Sequence, residues 1–180
     1  MTASAPTRRS PFVLWIIIAI VAAAAGALVA HFALAPKAVS DQAVETLFHT
    51  KMPDPAGAEV DLSKFRGKTL VVNFWAPWCG PCVEEMPELT ALHGEYAPRN
   101  VEFVGIGIDS ASNIQDFLKK VPVAYPLTVA GFAGTELSRT FGNTQGGLPF
   151  TVVITPDGTV KYRKMGRVHA DELRAVLPGA

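Results

Sequence analysis

The chain has 180 residues, 49% of them hydrophobic and 18% charged, with Lys+Arg and Asp+Glu balanced at 16 each. That balance leaves no basic surplus for a nucleic-acid partner and no acidic tail. Two cysteines in a chain of this length exclude a disulfide-dense secreted scaffold, and the size fits one domain plus a short appendage.

The run FVLWIIIAIVAAAAGALVAHFAL, residues 12–34, departs from the hydrophobic class only at Gly26 and His31. A helix rising about 1.5 Å per residue crosses the roughly 30 Å hydrocarbon core over such a run. Residues 12–35 are therefore expected to form one transmembrane signal-anchor helix. Arg8 and Arg9 precede it, so the positive-inside rule leaves residues 1–11 in the cytoplasm and sends the rest out of it. The expected location is the bacterial cytoplasmic (inner) membrane, with the C-terminal domain in the periplasm or extracytoplasmic space. A cleaved signal peptide is the alternative. The sequence ALA at 33–35 suits cleavage, whereas the length of the apolar run and Pro36 after the cut oppose it. His31 reads as an interfacial residue near the outer end.

Residues 36–42 read as a tether and residues 43–180 as the globular domain, whose net charge is −2. A strand is expected near residues 44–49, pairing with a second strand after the turn in PDPAGAEVDL to make an N-terminal β-hairpin. TLVVNFW, residues 69–75, reads as a buried strand, followed by a helix from the cysteines to about Tyr96. VEFVGIGI, residues 101–108, is the next buried strand. Residues 112–121 place Ile114, Phe117, Leu118 and Val121 at helical spacing, with Ser112 as N-cap. A short helix at 135–141 precedes two strands, 149–155 and TVKYRKM, joined by a tight turn at PDG. A last helix is expected at 169–177. This order implies an α/β sandwich around a mixed sheet.

Cys79-Gly80-Pro81-Cys82 joins a buried strand to a helix. The thiolate is the reactive form of cysteine, and a free thiol has a pKa near 8.5. A helix N-terminus presents unpaired N–H groups and partial positive charge, which stabilise a thiolate at Cys79. Pro81 suits the first turn, where its missing N–H costs nothing. Three readings compete: a static staple, a metal clip and a working redox pair. A four-residue loop constrains little chain, which weakens the staple. Zinc wants four ligands, and the domain offers no second cysteine pair or paired histidines, which weakens the clip. The redox pair is the reading the context favours: Cys79 attacks a disulfide and Cys82, deeper in the helix, resolves the mixed disulfide.

NFWAPWCGPC resembles the active-site stretch of the thioredoxin superfamily, and VEEMPEL with the apolar N-terminus resembles its membrane-tethered TlpA-like and ResA-like branch. The likeness spans nearly all of residues 43–177. It implies a thioredoxin fold, with Pro87 as the proline inside the active-site helix. The long separation of Cys79 from Pro149 fits a central strand–helix insertion, here about residues 109–140. GLPFTVVI matches the family's cis-proline loop. The resemblance thus implies that Pro149 sits opposite Cys79 and that the Leu148 backbone pairs with substrate chain. Trp78 is expected to cover the site and touch substrate, and Phe74 and Trp75 to be core or site wall.

Where thioredoxins carry a buried aspartate as proton acceptor, this chain has Asn73, which is no base at neutral pH. Glu85, three residues after Cys82 on the same helical face, matches a functional glutamate of the ResA-like branch. Burial near the thiol would raise its pKa towards a useful range. The competing reading is an ordinary first-turn glutamate facing the helix dipole. Glu84 and Glu88 read as solvated, His93 as surface, Asp109 as a loop cap and His169 as a helix start.

The resemblance implies a thiol:disulfide oxidoreductase acting on protein disulfide or dithiol clients. The expected direction is reduction, in cytochrome c maturation or copper-site assembly, with electrons from a membrane thiol reductase. An oxidant or isomerase would use the same residues. A peroxiredoxin-type peroxidase lacks its Thr-x-x-Cys setting, since position 76 is alanine, and a metal carrier is a further alternative. A monomer is expected, without nucleic acid, metal or any cofactor beyond the Cys79–Cys82 disulfide.

Overall fold

The computed structural model describes residues 15–18, 20–22 and 39–179. The expected membrane span, 12–35, and the segments 1–11 and 36–38 lie largely or wholly outside the described residues. Among the described residues no helix is long and apolar enough to cross a membrane. Residues 15–18 and 20–22 are helical.

The globular unit opens with helix α1, Val39–Phe48, followed by strands β1, Lys51–Pro53, and β2, Glu59–Asp61. The expected strand at 44–49 is thus corrected to helix. Ala43, Val44, Leu47 and Phe48 are all buried, and their i, i+1, i+4, i+5 spacing puts them on one helical face. The hairpin exists, but its first strand begins only after that helix, with Met52 opposite Val60. The helix also takes in part of the expected tether.

Strand β3, Thr69–Trp75, leads into α2, Gly80–Tyr96, and then β4, Val101–Gly107. Residues 109–140, expected as a strand–helix insertion, hold α3, Ala111–Leu118, β5, Leu127–Val129, and α4, Ala133–Thr140. Helix α3 is capped by Ser110, not Ser112: the Ser110 hydroxyl accepts from the Asn113 N–H at 3.2 Å. Strands β6, Phe150–Ile154, and β7, Val160–Met165, and helix α5, Ala170–Arg174, complete the unit. The five-stranded sheet has the order β5-β4-β3-β6-β7. β4 runs parallel to β3 and to β5, whereas β6 runs antiparallel to β3 and to β7.

Strand β3 is central, and every residue of it is buried. Successive side chains of a strand point to opposite faces. Leu70, Val72 and Phe74 join the core that holds α1 residues Val44 and Leu47. Val71 and Trp75 join the core under α2, with Cys82, Met86, Leu89 and Leu92. Asn73 lies between Val71 and Trp75 in the same alternation, so it faces α2. Opposite it in register stands Gly105 of β4. A Cβ there would lie 2.4 Å from Leu127 Cδ2, 3.1 Å from Trp75 Nε1 and 3.2 Å from Tyr125 Cε2. The absent side chain is what lets the indole and phenol rings close over the strand.

Candidate active site

Cys79 is the N-cap of α2, with extended backbone and its side chain accepting from the Cys82 N–H at 3.3 Å. Its own N–H donates to the Ala76 carbonyl at 3.1 Å, closing the turn from β3. Cys79 and Cys82 form a disulfide with S–S 1.98 Å and Cα atoms 5.3 Å apart. Cys79 keeps 6% exposure and Cys82 has none, so Cys79 is the cysteine nearer the surface. A thiolate at Cys79 would accept the Cys82 N–H and feel the positive end of α2.

The buried stripe of α2 comprises Cys82, Glu85, Met86, Leu89, Leu92 and Tyr96. Glu85 is its one acid, and it is completely buried. Its Oε1 accepts from Asn73 Nδ2 at 2.7 Å and its Oε2 from the Val168 backbone N–H at 2.8 Å. Burial pushes the carboxyl up to about 7, against the pull of those two hydrogen bonds and of the Arg167 charge. Residues i and i+3 of a helix have Cβ atoms about 5–6 Å apart, which makes Cys82 and Glu85 neighbours on one face of α2. Tyr125, buried below the site, is shifted upward by burial and by the Glu85 charge.

The segment after β7 is fastened to α2 through three glutamates. Arg167 Nη1 and Nη2 donate to Glu84 Oε2 and Glu88 Oε1, at 2.7 and 2.8 Å. The Ala170 N–H donates to Glu88 Oε2 at 3.0 Å. Glu88 is therefore a half-buried clamp and not the solvated residue expected, and Arg167 lowers its pKa. Glu84 is exposed as expected but paired. His93 is not a plain surface residue: its ring packs edge-on against Phe103 and Tyr125. Asp109 does cap its loop, accepting from the Ser110 N–H and Asn113 Nδ2.

Trp78 stands 69% exposed beside Cys79. It lines a cleft of about 530 Å³ with Ile108, Asp109, Phe132 and Leu148. The Leu148–Pro149 peptide is cis. Asn143 grips Gly147 from both sides, accepting its N–H at 3.1 Å and donating to its carbonyl at 2.9 Å. The Pro149 carbonyl accepts from the Gly166 N–H at 2.8 Å. Between these fixed points the Leu148 N–H and carbonyl make no hydrogen bond among the described residues. Trp78 and Leu148 are thus brought to one cleft, whereas Pro149 is buried and does not line it. Phe74 and Trp75 are fully buried. Among the described residues no group of three or more His, Cys, Asp or Glu is placed to hold a metal ion.

Arg167, the Val168 N–H and Thr151, whose hydroxyl accepts from Asn73 at 3.1 Å, escape the sequence reading. None lies near the cysteines along the chain. The only available signal was indirect: a buried acid on α2 demands donors from somewhere.

A disulfide at the N-terminus of the helix that follows the central strand of a mixed sheet defines a thiol–disulfide oxidoreductase of thioredoxin fold. The comparisons agree in sequence and in structure. The chain belongs to the Redoxin family, whose pattern matches residues 35–177, and within the thioredoxin superfamily it is ResA-like. It is 30% identical over 125 residues to the thiol-disulfide oxidoreductase ResA of Bacillus thuringiensis subsp. konkukian, covering 69% of this chain and 70% of that protein. A thioredoxin-related protein from Neisseria meningitidis serogroup B superposes with TM-score 0.61 at 35% identity, over 71% of this chain and 95% of that one. A thiol:disulfide interchange protein from Chlorobium tepidum superposes with the same score at 27% identity, over 71% and 89%.

Proposed function

We propose that the protein reduces disulfides of client proteins outside the cytoplasm while tethered to the bacterial inner membrane. The observation that carries the mechanism is the difference between the two sulfurs: Cys79 caps α2 and is reachable, whereas Cys82 is sealed beneath it beside a buried acid. In the dithiol form, the Cys79 thiolate attacks a client disulfide. One S–S bond breaks, a mixed disulfide forms, and the first client sulfur leaves as thiolate. Glu85 takes the Cys82 thiol proton, and the Cys82 thiolate attacks Cys79 Sγ. The second client sulfur leaves, and two electrons have passed from protein to client. Trp78 and the Leu148 backbone hold the client, with Pro149 keeping Leu148 in place.

The tether rests on the apolar run at 12–34 with its flanking arginines. The exposure of Trp15, Ile17 and Ile20 along the described helical residues also suits a lipid-facing helix. Gly-Pro between the cysteines and the ResA-like sequence support the reducing direction. On this reading the clients belong to cytochrome c maturation or copper-site assembly, and a membrane thiol reductase restores the dithiol.

Trapping tests the proposal. Cys82→Ser in the anchored chain accumulates mixed disulfides through Cys79, and Cys79→Ser does not. Mass spectrometry of the captured partner identifies the client. Absence of any adduct in the native compartment would overturn substrate reduction.

A further inference from the structure

Asn73, Glu85 and Thr151 are buried, and their side chains form one run. Asn73 Nδ2 donates to Glu85 Oε1 at 2.7 Å and to Thr151 Oγ at 3.1 Å. The other carboxyl oxygen accepts the Val168 N–H at 2.8 Å. Both oxygens of Glu85 therefore face donors, which suits a carboxylate. A neutral Glu85 has an O–H to place, and neither an amide NH2 nor a backbone N–H can accept it. The missing acceptor is in the same run: Asn73 Oδ1 is buried and has no hydrogen-bond partner among the described residues. A buried carbonyl left unpaired is uncommon and wants a physical reason.

We infer that Asn73 is a positioning residue whose side-chain amide turns over when Glu85 takes up a proton, presenting Oδ1 to the Glu85 O–H and to the Thr151 hydroxyl. This rests on the reading of Glu85 as the proton holder. Both bonds of the run then survive with donor and acceptor exchanged, because the Thr151 hydroxyl serves in either role. The proton is the one released by Cys82, so a thiol and a carboxylate become a thiolate and a carboxylic acid. The turnover also moves the NH2 group to the side where Oδ1 now has no partner. Each protonation state thus leaves one buried end of the Asn73 amide unpaired, Oδ1 in the ionised form and the NH2 in the neutral one, so the turnover exchanges the orphan and does not add one. An aspartate at position 73 would lack this symmetry, since it adds a second charge beside the first.

The charged and titratable groups facing Glu85 are few. Glu88 lies on its own helix, and Arg167 reaches it from the segment after β7. His169 stands beyond, against Glu88. The Tyr125 phenol lies on the β5 side. Strands β3 and β6 contribute the neutral Asn73 and Thr151.

The test is NMR on the full chain in detergent micelles, with labelled Glu and Asn side chains, between pH 5 and 9. The Glu85 carboxyl carbon is expected to titrate, and the contact between the Asn73 NH2 protons and the Thr151 methyl, present at pH 9, to be lost at pH 5. In Glu85→Gln the same contact no longer changes with pH. A contact that persists at pH 5 while the Glu85 carbon titrates would overturn the turnover and leave Glu85 as proton holder. A Glu85 carbon that stays flat would overturn the proton-holder reading, and this inference with it.

Discussion

Replacing Glu85 by glutamine removes a titration that weighs on the fold. The Glu85 carboxyl is held at about 7 in the folded chain by burial, against an ordinary value of 4.5. At 1.36 kcal/mol per pH unit, that difference is worth about 3 kcal/mol. Between these two values the folded protein binds more protons at this site than the unfolded chain, so stability falls as pH rises and levels off above 7. Glutamine cannot ionise. The stability of Glu85→Gln relative to the parent is therefore expected to climb by about 3 kcal/mol from pH 4.5 to pH 8. A pH-independent offset will accompany this, because the new amide must meet the Val168 N–H and the Asn73 amide, but it cancels in the comparison across pH. Urea midpoints of the two oxidised proteins, measured in parallel across that range, give the difference directly. A difference constant within about 1 kcal/mol would refute the claim that a buried, proton-poised carboxyl stands beneath Cys82.

Arg167 lowers the Glu85 pKa and neutralises Glu84 and Glu88, so Arg167→Ala should move the Glu85 titration above 7, and Arg167→Lys should restore part of the shift. NMR of the Glu85 carboxyl carbon reads it, and an unchanged or lower midpoint would show that the cation is irrelevant to the site. Gly105→Ala drives a methyl into the Leu127, Trp75 and Tyr125 side chains. Overpacking of this kind costs about 1–3 kcal/mol. A urea midpoint equal to that of the parent would mean that the three rings and chains can yield without loss.

Much of the site follows from local pattern. β-Branched and apolar residues at 69–75, then Cys-Gly-Pro-Cys, then an apolar stripe of period 3.6 leave little choice but strand, turn and helix, with Cys79 at the cap. Glu85 falls on that stripe between Cys82 and Leu89, which left burial and an ordinary first-turn position both open, and the packing decided for burial. The segment 44–49 was not legible. A short apolar run fits either period until something covers it, and here the sheet face below takes Val44 and Leu47 as one side of a helix. The expected cap of α3, Ser112, falls inside the helix, and Ser110 takes that place by accepting from the Asn113 N–H.

The sequence by itself determined that a redox pair would open a helix and that the expected aspartate was replaced by an amide. Tertiary structure decided what that replacement means. The β3 alternation turns Asn73 towards α2, β6 brings Thr151 alongside it, and the segment after β7 carries the Val168 N–H to the second carboxyl oxygen from 83 residues away. Hydrogen bonds between such distant positions leave no periodicity in the chain, because they follow from how the layers stack and not from local conformational preference.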